Sequence, residues 1–206
     1  MQTRLIEQLP LRRGAHPSRD DGMCAMEMVS WLAGEPHSDE PCCSCPVLAA
    51  LVRAVNDALS DASRNRLLRP LVPQLVHTRG TQSRERQRGL LAVDHLVRVL
   101  LPQMLRRQRR AAEADLLADL PPVLDREGLR TASRAVDHYA PREHAARWVL
   151  QRAVEGLPPA RYVAGLVTVA RSSPDPAVWQ GLASLIAAMA RPSLVAPDAA
   201  PACSDC

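Results

Sequence analysis

Between Cys24 and Cys45 the chain reads CAMEMVSWLAGEPHSDEPCCSC, which gathers Cys24, Cys42, Cys43 and Cys45 with His37 and the carboxylates Glu27, Glu35, Asp39 and Glu40. Thiolate, imidazole and carboxylate are the groups that bind zinc or iron, and Cys24, His37, Asp39 and Cys43 could complete a tetrahedron around one ion. The spacing departs from the established zinc patterns, because Cys43 and Cys45 form Cys-x-Cys rather than the Cys-x-x-Cys knuckle. The plain alternative is that Cys24 packs as a small hydrophobe while His37, Ser38 and Asp39 organise a turn through backbone amides.

Thiol chemistry is a second use of the same segment. Cys43 and Cys45 stand at the amino end of an expected helix, where the dipole and unpaired N–H groups stabilise a thiolate. Asp39 and Glu40 oppose this by adding negative charge nearby. Cys42 would be an accessory thiol, and the terminal Cys203-x-x-Cys206 offers two more ligands or a resolving pair. If the centre belonged to an enzyme, Glu27 would carry the proton, since Cys24 and Glu27 share a helix face.

The other candidates are weaker. His95 falls away from the apolar stripe of its helix, which places it at a second contact surface or in solvent. Asp137 and His138 are sequence neighbours and point in different directions on a helix, and His138 and His144 read as surface residues flanking a turn at Pro141. No Gly-x-Ser-x-Gly, phosphate loop, His-Glu-x-x-His or dinucleotide fingerprint occurs, which lowers the weight of ordinary hydrolases and nucleotide-dependent enzymes. Arg84, Arg86 and Arg88 open the longest expected helix and Arg106, Arg107, Arg109 and Arg110 close it, so phosphates could be tracked there. The aromatic residues that accompany single-strand binding are missing, and a solvated face is favoured over nucleic acid.

The elements that position these residues read as helices. One is expected over Gly22 to Leu32, ended by Gly34 and Pro36, and a second from Pro46 with apolar Val47, Leu48, Leu51, Val52, Val55 and Leu59. A third starts at Asp61 or Ser63 and meets Pro70 and Pro73. The longest runs from about Arg84 to Arg110, and Pro102 predicts a kink in it. Further helices are expected at Ala111 to Asp119, Arg126 to Tyr139, Arg142 to Glu155, Ala160 to Arg171 and Ala177 to Arg191, the last started by Asp175 and Pro176. The reading is all-α: a single domain of about eight helices, with stacked helical hairpins as one arrangement. It spans residues 21–191, after a loose arm at 1–20 and before a Pro- and Ala-rich flexible tail at 192–206.

Composition agrees. The chain has 206 residues, 47% of them hydrophobic, which suffices for one substantial core. With no phenylalanine and only two tyrosines, the interior must be built from Leu, Val and Ala, with Trp31, Trp148 and Trp179 as wedges. All basic residues are arginine, and the net charge of +4 is modest. No run suits a signal peptide or a membrane helix, so a cytoplasmic protein is expected, with its cysteines as thiols, ligands or redox groups.

Across Cys24, Glu27, Gly34, Glu35, Pro36, His37, Ser38, Asp39, Pro41, Cys43, Pro46, Asn56, Asp57, Arg64 and Pro70, the chain resembles a segment of actinobacterial and phage-borne helical proteins of unassigned activity. The resemblance covers roughly the first half and implies a shared local architecture, with no reaction attached.

Together these readings point to a cytoplasmic helical interaction or regulatory module whose Cys/His/carboxylate loop holds a structural or sensory zinc or iron. The alternatives are a metal-dependent or thiol-based enzyme and an arginine-mediated nucleic-acid binder. The expected partner is a protein, with a homo-oligomer possible and no membrane.

Overall fold

A computed structural model describes residues 9–191. The fold is all-α, and no strand occurs among the described residues. No described helix is long and apolar enough to cross a membrane. Cys203 and Cys206, with the rest of the expected tail, lie outside the described residues.

Helix α1 covers Ala25–Ala33 and α2 covers Pro46–Ala58. Each boundary has a local cause. The Cys24 side chain caps α1 by accepting the Glu27 N–H while Glu27 reaches back to the Cys24 N–H, a capping box with sulfur in the usual hydroxyl position. Gly34 ends α1 in the left-handed conformation at φ 74°, where a side chain would be strained. Pro46 occupies the first turn of α2, where its missing N–H costs nothing.

The C-terminus of α2 is closed by a buried arginine. Arg64, on α3 (Asp61–Leu67), is 1% exposed and donates from Nε to the Asn56 carbonyl at 2.7 Å and from NH2 to the Leu59 carbonyl at 2.7 Å. A guanidinium there satisfies carbonyls that the helix leaves orphaned and meets the negative end of its dipole. Its charge is balanced by Asp61, 2.5 Å from NH1.

The chain continues through α4 (Val72–Leu75) and α5 (Gln82–His95). Leu96–Leu100 is a π segment that runs directly into α6 (Leu101–Arg107). The irregularity expected at Pro102 thus takes the form of a widened turn just before it, with the Leu101 N–H bonded five residues back to the Leu96 carbonyl. The remaining helices are α7 (Ala111–Ala118), α8 (Arg126–Tyr139), α9 (His144–Val154), α10 (Gly165–Arg171) and α11 (Pro176–Ala190). Asp175 caps α11 through the Ala177 N–H, as its position before Pro176 led us to expect.

Helix α2 is the axis of the core: it packs against α1, α5, α10 and α11, and Val47, Leu48, Leu51, Val52, Val55 and Leu59 are all buried. Leu11, which precedes the helices, is wholly buried in the same core. The segment read as a loose arm outside the core is therefore, from residue 9 onward, a strap folded onto the α1–α2 hairpin.

Candidate functional site

The strap docks mainly through its backbone. Asn65 on α3 accepts the Leu11 N–H at 2.7 Å and returns its amide to the Leu11 carbonyl at 3.3 Å. Asn56, fully buried on α2, donates to the Arg12 carbonyl at 2.9 Å while its oxygen takes the Ala25 N–H at the start of α1. Asp57 accepts the Gly14 N–H at 2.9 Å. These three side chains fix the strap's path toward Glu27.

Glu27 is the centre of the site. Its carboxylate, 1% exposed, accepts the His16 N–H at 2.6 Å on Oε1. On Oε2 it accepts the Cys24 N–H at 2.7 Å and His16 Nδ1 at 2.8 Å. Burial alone would push its pKa up, but the bonds from Cys24 and His16 and the charge on His16 outweigh burial and hold it below the ordinary carboxylate value.

His37 completes the group from the loop between α1 and α2. Its Nε2 donates to the His16 carbonyl at 3.0 Å and lies 3.6 Å from Glu27 Oε1. Because a carbonyl only accepts, Nε2 carries a proton, and Nδ1 is buried without a hydrogen-bond partner among the described residues. Gly22, at φ 125°, leaves room for the His16 ring: an added Cβ would lie 3.2 Å from its Nε2.

The sequence-derived candidates separate here. Cys24 and His37 are placed around Glu27, but Cys24 contributes its sulfur as a helix cap at 3.4 Å from the Glu27 N–H. Asp39 turns instead to Arg53, which also pairs with Glu40 at 2.9 Å and donates to the Asp39 carbonyl at 2.8 Å. Cys43 is buried with its backbone N–H, like that of Cys42, on the Glu35 carboxylate at 2.7 Å. Cys45 is buried at the start of α2, its N–H on Thr78 Oγ1 at 3.1 Å. Among the described residues, no group of three or more His, Cys, Asp and Glu side chains is arranged to hold a metal, so the quartet Cys24, His37, Asp39 and Cys43 is not assembled.

The Cys24 side chain is not a reactive thiol. Burial pushes the Cys24 pKa up to about 12, with Glu27 adding to the rise, so it is a neutral thiol at physiological pH. His95, on α5, is pushed the other way, to about 4, by burial that outweighs the attraction of Asp94. His138 and His144 are exposed. A groove of about 670 Å³ lies elsewhere, lined by Arg86, Leu90, Arg126, Leu129, Pro158 and Tyr162 among others; of the arginines considered for phosphate it takes Arg86, and none of the Cys, His and carboxylate candidates of the Cys24–Cys45 segment lines it.

His16 is the residue that sequence reasoning passed over. It lies in a polar, Gly- and Pro-punctuated stretch that shows no helical period, and its one signal is proximity to the Cys24-x-x-Glu27 cap. No family model, curated protein or solved structure matches this chain.

Proposed function

We propose that this chain is a helical interaction or regulatory module in which the His16–Glu27–His37 group latches the N-terminal strap onto the helical hairpin. The observation that carries this reading is the saturation of Glu27: a nearly inaccessible carboxylate receives two backbone N–H groups and an imidazole from its own chain. A general base needs a free lone pair within reach of a substrate, and a thiol nucleophile needs thiolate; Glu27 is engaged and Cys24 is protonated. The arrangement suits positioning better than turnover.

Trypsin tests the latch, because Arg12, Arg13 and Arg19 are exposed on the strap. The wild-type chain should resist cleavage at these sites relative to Glu27→Ala, whose strap should be released while its helical circular dichroism persists. Equal cleavage rates in two folded proteins would contradict the proposal.

One observation favours a second reading, a zinc or iron ion at the same place: His37 Nδ1 is buried without a partner among the described residues. Elemental analysis of protein purified without a metal-affinity tag decides it. Stoichiometric metal would support a bound ion, and clearly sub-stoichiometric metal would contradict it.

A further inference from the structure

The strap is held as a protein holds a foreign peptide. Five side chains from the body of the fold read its main chain: Asn65 at Leu11, Asn56 at Arg12, Asp57 at Gly14, and Glu27 and His37 at His16. The contacts include three acceptors for strap N–H groups and three donors to strap carbonyls along an irregular, non-helical segment, and bound peptides likewise gain affinity through the backbone and specificity through a few anchors.

The anchors are few. Leu11 is fully buried in the core. Gly14 adopts φ 80°, a left-handed conformation that a side chain would strain. His16 delivers its ring to Glu27 at 2.8 Å. Between them Arg12, Arg13 and Ala15 are exposed and contribute little that another residue type would not.

We infer that the face formed by α1, α2 and α3 is a binding site for a peptide of the form Leu-x-x-Gly-x-His, bent at its glycine as residues 11–16 are. Residues 11–16 are its resident, self-inhibiting occupant. A partner protein that presents the same three determinants would take the place of the strap. The inference rests on the interaction-module reading but goes further, since a latch can be real without the site accepting a peptide in trans. A resident ligand tethered beside its site competes at an effective concentration in the millimolar range, so trans binding should become visible once the resident is weakened.

The test uses a fluorescent peptide covering residues 9–22 and two full-length proteins, wild type and the double variant Leu11→Ser with His16→Ala. Fluorescence anisotropy should show the double variant binding the peptide at least about tenfold more tightly than the wild type does. The same peptide carrying Leu11→Ser and His16→Ala should lose that binding, as should a protein with Asn65→Ala added. A folded double variant that binds neither peptide, or both equally, would overturn the inference. If the double variant does not fold, amide exchange in the wild type decides. At millimolar concentration the unlabelled peptide should lower the protection of the Leu11, Gly14 and His16 amides as it displaces the strap, while the variant peptide should not; protection unchanged by the peptide would overturn the inference. Loss of the latch in the Glu27→Ala trypsin experiment is a separate result, so the two claims fail independently.

Discussion

Glu27 grips His16 twice, taking its backbone N–H on one carboxylate oxygen at 2.6 Å and its ring Nδ1 on the other at 2.8 Å. One side chain thereby fixes both the position and the ring orientation of a residue eleven positions earlier in the chain.

Truncating Glu27 should be among the more damaging single changes. Glu27→Ala strands the Cys24 N–H, the His16 N–H and the His16 ring, and loss of one partner from such a buried polar group costs on the order of 3–5 kcal/mol. Urea denaturation measures it; a loss within experimental error of zero would refute this account. The depressed Glu27 pKa sets the pH sign. Its stabilisation is complete above the unfolded carboxylate value of about 4.3 and is lost as pH falls through the lower folded value.

His95 gives a second, separable acid response. Its ring packs 3.5 Å from where a Cβ on Gly181 would lie, and burial holds its pKa at about 4 against an ordinary value of 6.5. A histidine kept neutral in the fold binds fewer protons than in the unfolded chain, so stability should fall as pH drops from about 6.5 to about 4 and level off below. The total is on the order of 3 kcal/mol. In His95→Gln this segment of the stability–pH curve should flatten; an unchanged slope would show that the ring is not the titrating group.

The Cys24 thiol should resist modification. At 3% exposure and with a pKa near 12, it offers almost no thiolate at pH 8. Mass spectrometry after brief iodoacetamide treatment of the native protein should find Cys24 unmodified and, after denaturation, alkylated. Rapid native labelling of Cys24 would contradict its being a buried, protonated thiol.

Two helical glycines should respond oppositely to alanine. At Gly181 the added methyl meets only the His95 ring at ordinary contact distance, so Gly181→Ala should stabilise α11 by about 0.5–1 kcal/mol. At Gly89 it would lie 2.6 Å from Pro159 and 2.8 Å from the Tyr162 hydroxyl, and overpacking there should cost about 1–3 kcal/mol. Thermal melts of the two variants should move in opposite directions.

The helices were legible because their signals are local. Gly34 ends α1 and Pro46 starts α2 as expected, and the apolar stripe of α2 faces inward as its period requires, whereas Cys24, expected inside α1, is its cap and the helix begins at Ala25. The strap was not legible, because it is held by Asn56, Asp57 and Asn65, which come from α2 and α3 and contact backbone rather than matching apolar residues. No periodicity encodes such contacts. The same reason hid His16, while composition overstated Asp39, whose carboxylate faces Arg53.

Residue-resolved hydrogen exchange of the wild type and Glu27→Gln at neutral pH tests the latch most directly. The amide keeps the shape of the carboxylate and removes one acceptor oxygen and the charge. The account predicts that protection at the His16 and Cys24 amides falls by at least about tenfold, the value of one net hydrogen bond, while Leu51 and Val55 in α2 keep theirs. Unchanged protection at His16 and Cys24, or an equal loss throughout α2, would contradict it.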